Sequence, residues 1–167
     1  CVLVSLDVST ARDFLDKNHI SGYANSSLKM GLYYKNELVS VATASKSRFG
    51  ENSWEIVRFA SKKGYSVRGA YSKLIKSFGV KNIVSYHHND LGIPITKFFD
   101  REEQLEPGYF YYKNRKVLSR YQCQKSKLSK ILKNYNPNES EYQNMIKNGW
   151  FRVWNSGVTK MRMSIQE

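Results

Sequence analysis

Gly69-Ala70 stands between a basic approach, Lys62-Lys63-Gly64-Tyr65-Ser66-Val67-Arg68, and an apolar run containing Leu74, Ile75 and Phe78. Those three side chains fall at i, i+1 and i+4, on one face of a helix. Small residues at a helix start leave the first-turn amide N–H groups bare of internal partners. Such a terminus suits an anion, for example a phosphate. The same pair also serves as an ordinary tight turn between a strand and a helix, the commoner meaning of so short a motif.

A second chemical signal lies further along. Residues 113–138 contain no Asp or Glu, but hold Lys113, Arg115, Lys116, Arg120, Lys125, Lys127, Lys130 and Lys133. Tyr109, Tyr111, Tyr112 and Tyr121 are interleaved with them or lie just before. Cations that neutralise phosphates, with rings that stack on bases, are the chemistry of a nucleic-acid surface. On this reading Arg115, Lys116, Arg120, Lys125, Lys127, Lys130 and Lys133 contact phosphates, and Arg48, Lys62, Arg68 and Lys73 add a second patch. Such contacts position a protein without reading sequence. A merely solvated charged face is the alternative.

Acid–base chemistry has fewer candidates. Asp100, Glu102, Glu103 and Glu106 cluster in a polar stretch that reads as a solvated loop. Glu55 is a lone acid in an apolar strand. It could act as a base or pair with a nearby Lys or Arg, and pairing is the usual fate of a buried acid. His87-His88-Asn89-Asp90 follows a strand end, where sites in α/β folds tend to lie, although a surface loop is the simpler account. His19 reads as a helix-end residue. Cys1 and Cys123 lie far apart without CxxC spacing, and with the histidines they make no zinc pattern. No metal site and no cofactor is expected on the main reading.

The elements that must position these residues follow from periodicity. Residues 2–6 read as a strand, and Ser9 or Thr10 as the cap of a helix burying Ala11, Phe14 and Leu15. Residues 28–34 and 38–45 form a hairpin turning at Asn36, which tolerates positive φ. Residues 54–59 make a strand, 71–78 a helix and 82–86 another strand. That β–turn–α–β unit implies parallel pairing. Residues 93–99 fit a short helix and 108–112 a strand. Helices are expected over 126–135 and 139–147, and 150–154 with 158–163 read as a closing hairpin.

The chain has 167 residues, about one domain. It is 41% hydrophobic, enough for a core. Twenty-seven Lys and Arg against 14 Asp and Glu give a net charge of +13, which favours a polyanionic partner over a small neutral substrate. Nucleic acid is the first such partner and an anionic membrane surface the second, and the main reading takes the first, with no membrane among its partners; no apolar run reaches membrane-spanning length. The chain starts at Cys1 without a signal pattern and reads as an intracellular piece of something longer.

Several blocks carry a family resemblance. Val57-Arg58-Phe59-Ala60-Ser61-Lys62, Val67-Arg68-Gly69-Ala70-Tyr71-Ser72-Lys73-Leu74 and Ile83-Val84-Ser85-Tyr86 resemble the C-terminal region of phage homing endonucleases with a Vsr-like nuclease domain. Further blocks are Phe14 to Tyr23, Gly31 to Tyr34, Glu37 to Ser40, Lys46 to Phe49, Tyr109 to Tyr112 and Asn148 to Trp154. The resemblance implies a nuclease domain before Cys1, double-stranded DNA as partner, and the cytoplasm of an infected bacterial host. This piece would then be the non-catalytic, target-recognising half of an endonuclease, a hydrolase. The strand–Gly-Ala–helix core also resembles the acyl-CoA-binding turn of GNAT-type N-acetyltransferases. That implies a mixed α/β fold with a GNAT-like core over 1–112 and a basic helical and hairpin extension over 113–167. On the alternative acetyltransferase reading, Gly69 and Ala70 hold a pyrophosphate and Glu55 is the general base.

Overall fold

The computed structural model describes residues 1–47, 52–91, 99 and 101–164, with the side chains of 101 and 102 left aside. Packing divides the chain into two compact units. One comprises 1–87, 94–103 and 160–167, and the other 88–93 and 104–159.

The first unit is organised by a seven-stranded mixed sheet. Its strands are β1 (Val2–Ser5), β2 (Leu28–Tyr34), β3 (Glu37–Lys46), β4 (Trp54–Ser61), β5 (Asn82–His88), β6 (Arg101–Leu105) and, last in the chain, β10 (Val158–Ser164). They lie in the order β1-β2-β3-β4-β5-β10-β6. The first four pair antiparallel, and β4 pairs parallel to β5. The helix α1 (Val8–Asn18) covers one face, where Ala11, Phe14 and Leu15 pack with Leu6, Val41 and Ala60. The helix α2 (Ala70–Lys76) covers the other, packing Leu74 and Ile75 against Leu32, Ala42, Ala44, Ile56 and Ile83. Because both faces are covered, β3 is buried without alternation from Val39 to Ala44. Fully burying one such Leu or Ile stabilises the fold by roughly 1.5–3 kcal/mol.

Local chemistry sets the element ends. The cap of α1 is Asp7, two residues before Ser9 and three before Thr10, the expected caps. Its carboxylate accepts from the Thr10 amide at 2.9 Å and from the Ser9 and Thr10 hydroxyls at 2.6 and 2.7 Å. Those hydroxyls serve the cap as donors. The β2–β3 hairpin turns through Lys35 and Asn36, both at positive φ, as Asn36 led one to expect.

The second unit holds a three-stranded antiparallel sheet, β8 (Lys116–Ser119), β7 (Tyr109–Lys113) and β9 (Phe151–Trp154), in the order β8-β7-β9. Helices α3 (Lys125–Ile131) and α4 (Glu141–Lys147) close its core of Tyr111, Cys123, Leu128, Leu132 and Met145. A capping box of Ser140 and Gln143 starts α4. Asn114 and Arg115, at φ +49° and +64°, form the two-residue turn between β7 and β8.

Several expectations change. The strand β8 was not foreseen, and the helix expected over 126–135 shortens to α3. The two halves of the closing hairpin separate: β9 pairs with β7, while β10 enters the large sheet between β5 and β6. Strand alternation alone cannot choose a partner, and Asn155-Ser156-Gly157 proved to be a connection between sheets. His87 and His88 lie within β5, not in a loop, and Glu103 belongs to β6, where it faces Arg162 at 4.0 Å. The short helix expected at 93–99 falls largely outside the described residues. No helix among the described residues is long and apolar enough to cross a membrane.

Candidate functional site

The parallel ladder between β4 and β5 is short. Trp54, Ile56 and the intervening Glu55 pair with Ile83, Ser85 and Val84, and there the register ends. Beyond that point β4 runs on to Ser61 and β5 to His88, so the strands part toward their C-terminal ends. A bulge accompanies the parting. On the β3 side the register jumps from Arg58 to Ile56, leaving Val57 as the extra residue. Bulges of this kind bend a strand and re-aim its side chains.

Rings line the α2 side of the parted strands. Phe59 of β4 meets Tyr71 of α2 edge-on at 5.0 Å between centroids. Phe99 lies 6.2 Å from Tyr71 and 5.8 Å from His87 of β5. Two polar atoms are buried there without a hydrogen-bond partner, the Tyr71 hydroxyl and His87 Nε2. The Tyr71 hydroxyl is directed at Ser85 without closing a bond of good geometry, and burial raises its pKa. Burial likewise lowers the pKa of His87, which favours the neutral imidazole. Buried polar atoms are almost always satisfied, and these two lie close to the place where the strands part.

Behind this cleft runs the turn from β4 to α2. The Lys62 amide bonds Val39 O at 2.9 Å and the Tyr65 amide bonds Lys62 O at 3.0 Å. Gly64 and Gly69 have φ of +81° and +70°. Gly69 occupies the N-cap position of α2, and no side chain caps that helix. A Cβ added at Gly69 would meet no heavy atom within 4 Å, so the space over the turn is open. Ala70 is buried, as helix packing requires.

The cations expected to hold phosphates are distributed differently than one surface would need. In the first unit Lys62 pairs with Glu37, which also accepts from the Tyr65 hydroxyl. That contact from Lys62 is the main reason the Glu37 carboxyl titrates below its usual range. Lys73 donates to Cys1 O at 2.8 Å. Arg68 is exposed on the turn, and Arg48 lies outside the described residues. In the second unit Arg120 sits over Tyr109, and Lys127 both covers the Tyr121 ring and donates to its carbonyl at 3.0 Å. Lys125 and Lys130 are exposed on α3, and Arg115 is exposed at the hairpin tip. Lys116 and Lys133 converge on one cavity.

Glu55 is 8% exposed and is not without a partner. His19 accepts from the Ser21 amide at 3.0 Å, a helix-end role. Among the described residues no cluster of three or more His, Cys, Asp or Glu could hold a metal ion. Tyr71 and His87 were not singled out together in the sequence. Ser85 and His87, spaced by two on a strand, were the one available signal for that face.

No protein-family model matches this chain, and no curated protein matches it in sequence. Solved structures do resemble it in shape. A GNAT family acetyltransferase from Elizabethkingia anophelis, with acetyl-CoA bound, aligns over 98% of this chain and 97% of its own at a TM-score of 0.51 and 14% identity. The ribosomal-protein-S18-alanine N-acetyltransferase from Escherichia coli covers 99% and 96% at 0.48 and 9% identity. The aminoglycoside 6'-N-acetyltransferase from Enterococcus faecium covers 100% and 98% at 0.44 and 15% identity.

The likeness to the Elizabethkingia protein overturns the expectation of a DNA-targeting half of a phage homing endonuclease, with its endonuclease, hydrolase and phage attributions. The physical reason lies in where the resembling blocks fall. Residues 57–62, 67–74 and 83–86 are β4, the turn with α2, and β5, the central elements of the sheet. They carried the signal of a fold and not of a nuclease partner. The chain has the mixed α/β fold of the GNAT acetyltransferases.

Proposed function

We propose that this chain is an N-acyltransferase that takes its acyl group from an acyl-CoA thioester. The observation that carries the reading is the parting of β4 from β5 after three residue pairs, with a bulge at Val57. A parallel pair that opens in this way offers main-chain groups of β4 to an extended ligand, as a sheet edge does to a peptide. The turn that follows the same strand is open at Gly69, where α2 starts, and suits the diphosphate part of such a ligand. The acetyl-CoA held by the Elizabethkingia protein supports the same assignment.

The residues of the cleft then take roles. His87, kept neutral by burial and with Nε2 unpartnered, accepts the proton of the attacking amine. The nitrogen–carbon bond forms, the carbon–sulfur bond breaks, and the thiolate leaves to be protonated to the thiol. Tyr71, whose raised pKa keeps it protonated, is the hydroxyl available to supply that proton. Phe59 packs on Tyr71 and Phe99 on both Tyr71 and His87, which keeps water from the two groups and strengthens each polar contact. Two unpaired thiols, Cys1 exposed and Cys123 buried, suit a reducing intracellular setting.

Release of free thiol from acetyl-CoA, in the presence of a panel of primary amines, tests the assignment. Amine-dependent release is expected. His87→Gln should lower kcat by roughly 10²–10⁴ while leaving the KM for acetyl-CoA near its original value. Acetyl-CoA left intact with every amine, or equal turnover in the variant, would count against the reading.

A further inference from the structure

The second unit contains a cavity of about 520 Å³ lined by Lys113, Lys116, Lys133, Lys147, Asn148 and Trp150 among others, with four lysines and no carboxylate in the lining. Its size is that of sites for nucleotide-sized small molecules. The floor is fixed by hydrogen bonds. Asn148 Nδ2 donates to Asn134 O at 2.8 Å, the Asn134 amide donates to Asn148 Oδ1 at 3.3 Å, and Lys113 Nζ donates to Asn148 O at 2.6 Å. Trp150 packs on the core of Tyr111, Leu128 and Met145 and lines the cavity as well.

The charges are placed against ordinary folding preference. Lys113 and Lys116 face each other directly across the β7–β8 ladder, beside the turn through Asn114 and Arg115. Like charges opposite one another weaken a ladder. Lys147 is paired with Glu139, but neither Lys116 nor Lys133 has an acid partner among the described residues. Lys113 uses one of its three donors on Asn148, and two remain. Three lysines without an acid partner among the described residues therefore line one concave surface that has no carboxylate in its lining. A ligand with at least two negative charges removes that repulsion.

We infer that this cavity binds a small phosphorylated molecule, its phosphates between Lys113, Lys116 and Lys133. Asn134 and Asn148 hold the loop that brings Lys133 to the other two. The site is separate in sequence from Gly69 and does not depend on the acyltransferase reading.

Calorimetric titration of the full chain with inorganic pyrophosphate and with ATP, at low salt and at 1 M salt, tests it. Saturable binding is expected at low salt. At 1 M it should be strongly weakened, because the screening length there is about 3 Å. The double variant Lys116→Gln, Lys133→Gln should bind pyrophosphate about tenfold more weakly or worse, since each lost charge-assisted contact counts for several-fold. Both side chains are exposed, so an unchanged melting temperature verifies that the variant is folded. Gly69→Val should keep pyrophosphate binding, and the double variant should keep acetyl-CoA binding. No response to either phosphate would overturn the inference, as would equal binding by the double variant. So would a parallel loss of acetyl-CoA affinity, or binding of oligoglutamate without binding of pyrophosphate.

Discussion

Both units tie down some of their cationic side chains, and the second also gathers lysines around a cavity. Around the turn of the first unit, Lys62 is taken up by Glu37, Lys73 by the Cys1 carbonyl, and Arg58 by the carbonyls of Gly22 and Val57. In the second, Lys113, Lys116 and Lys133 are gathered where no acid answers them. Charge excess in a sequence thus has two meanings. It can be spent inside the fold as ties between segments, or left facing a cavity as unmet attraction for an anion. On the two proposals, the first unit takes its ligand through parted strands and an open glycine turn, and the second through charge.

The largest expected effects separate the cores of the two units. Leu74→Ala should destabilise the first by about 2–5 kcal/mol, and Leu128→Ala the second by a similar amount, since both side chains are fully buried. Hydrogen exchange sharpens the comparison. Leu74→Ala should speed exchange in β3 and α2 while amides near Tyr111 and Met145 stay protected, and Leu128→Ala should do the reverse. Uniform loss of protection from either substitution would break the division into two units.

A smaller effect contrasts helix starts. The N-terminus of α4 is closed by its Ser140–Gln143 capping box, whereas α2 begins at Gly69 with no side-chain cap. Ser140→Ala should cost about 1 kcal/mol in chemical denaturation. Gly69→Val should cost roughly 1–2 kcal/mol, because a branched side chain must enter the left-handed region, even though the space around it is free. A Ser140→Ala protein as stable as the wild type would show that the box is ornamental.

The smallest effect is the pH dependence. His19 and His87 both have pKa values lowered from 6.5 in the fold, each mainly by burial. The unfolded imidazoles take up protons near that pH while the folded ones resist. Their contribution to stability is therefore complete above about pH 6.5 and declines as pH falls toward the lower folded values. Melting curves between pH 7.5 and 5 should show this decline, and His19→Asn should flatten part of it. A profile unchanged by the substitution would contradict the assignment.

Much of the first unit was legible in the sequence, because its elements are local. The hairpin at Asn36, the stripe of Ala11, Phe14 and Leu15, and the strand–turn–helix–strand unit through Gly69 each follow from spacing within a few residues. The second unit was less legible. Whether β9 pairs with β10 or β7 is decided by a partner some forty residues away, and no alternation pattern encodes that choice. The same holds for the candidate sites. Gly69 stood out by type, but the meeting of Phe59, Tyr71 and His87 depends on three elements and a bulge that leaves no mark in composition. The lysine window was visible from its lack of acids. Which of its members converge depended on where the β7–β8 turn and the loop after α3 fall in space.

The most direct test of the acyltransferase account is calorimetric titration of acetyl-CoA into the wild-type chain and into Gly69→Val, side by side. The account predicts one saturable site in the wild type and at least tenfold weaker binding in the variant, which remains folded. Absence of binding by the wild type, or equal affinity in the two proteins, would contradict it.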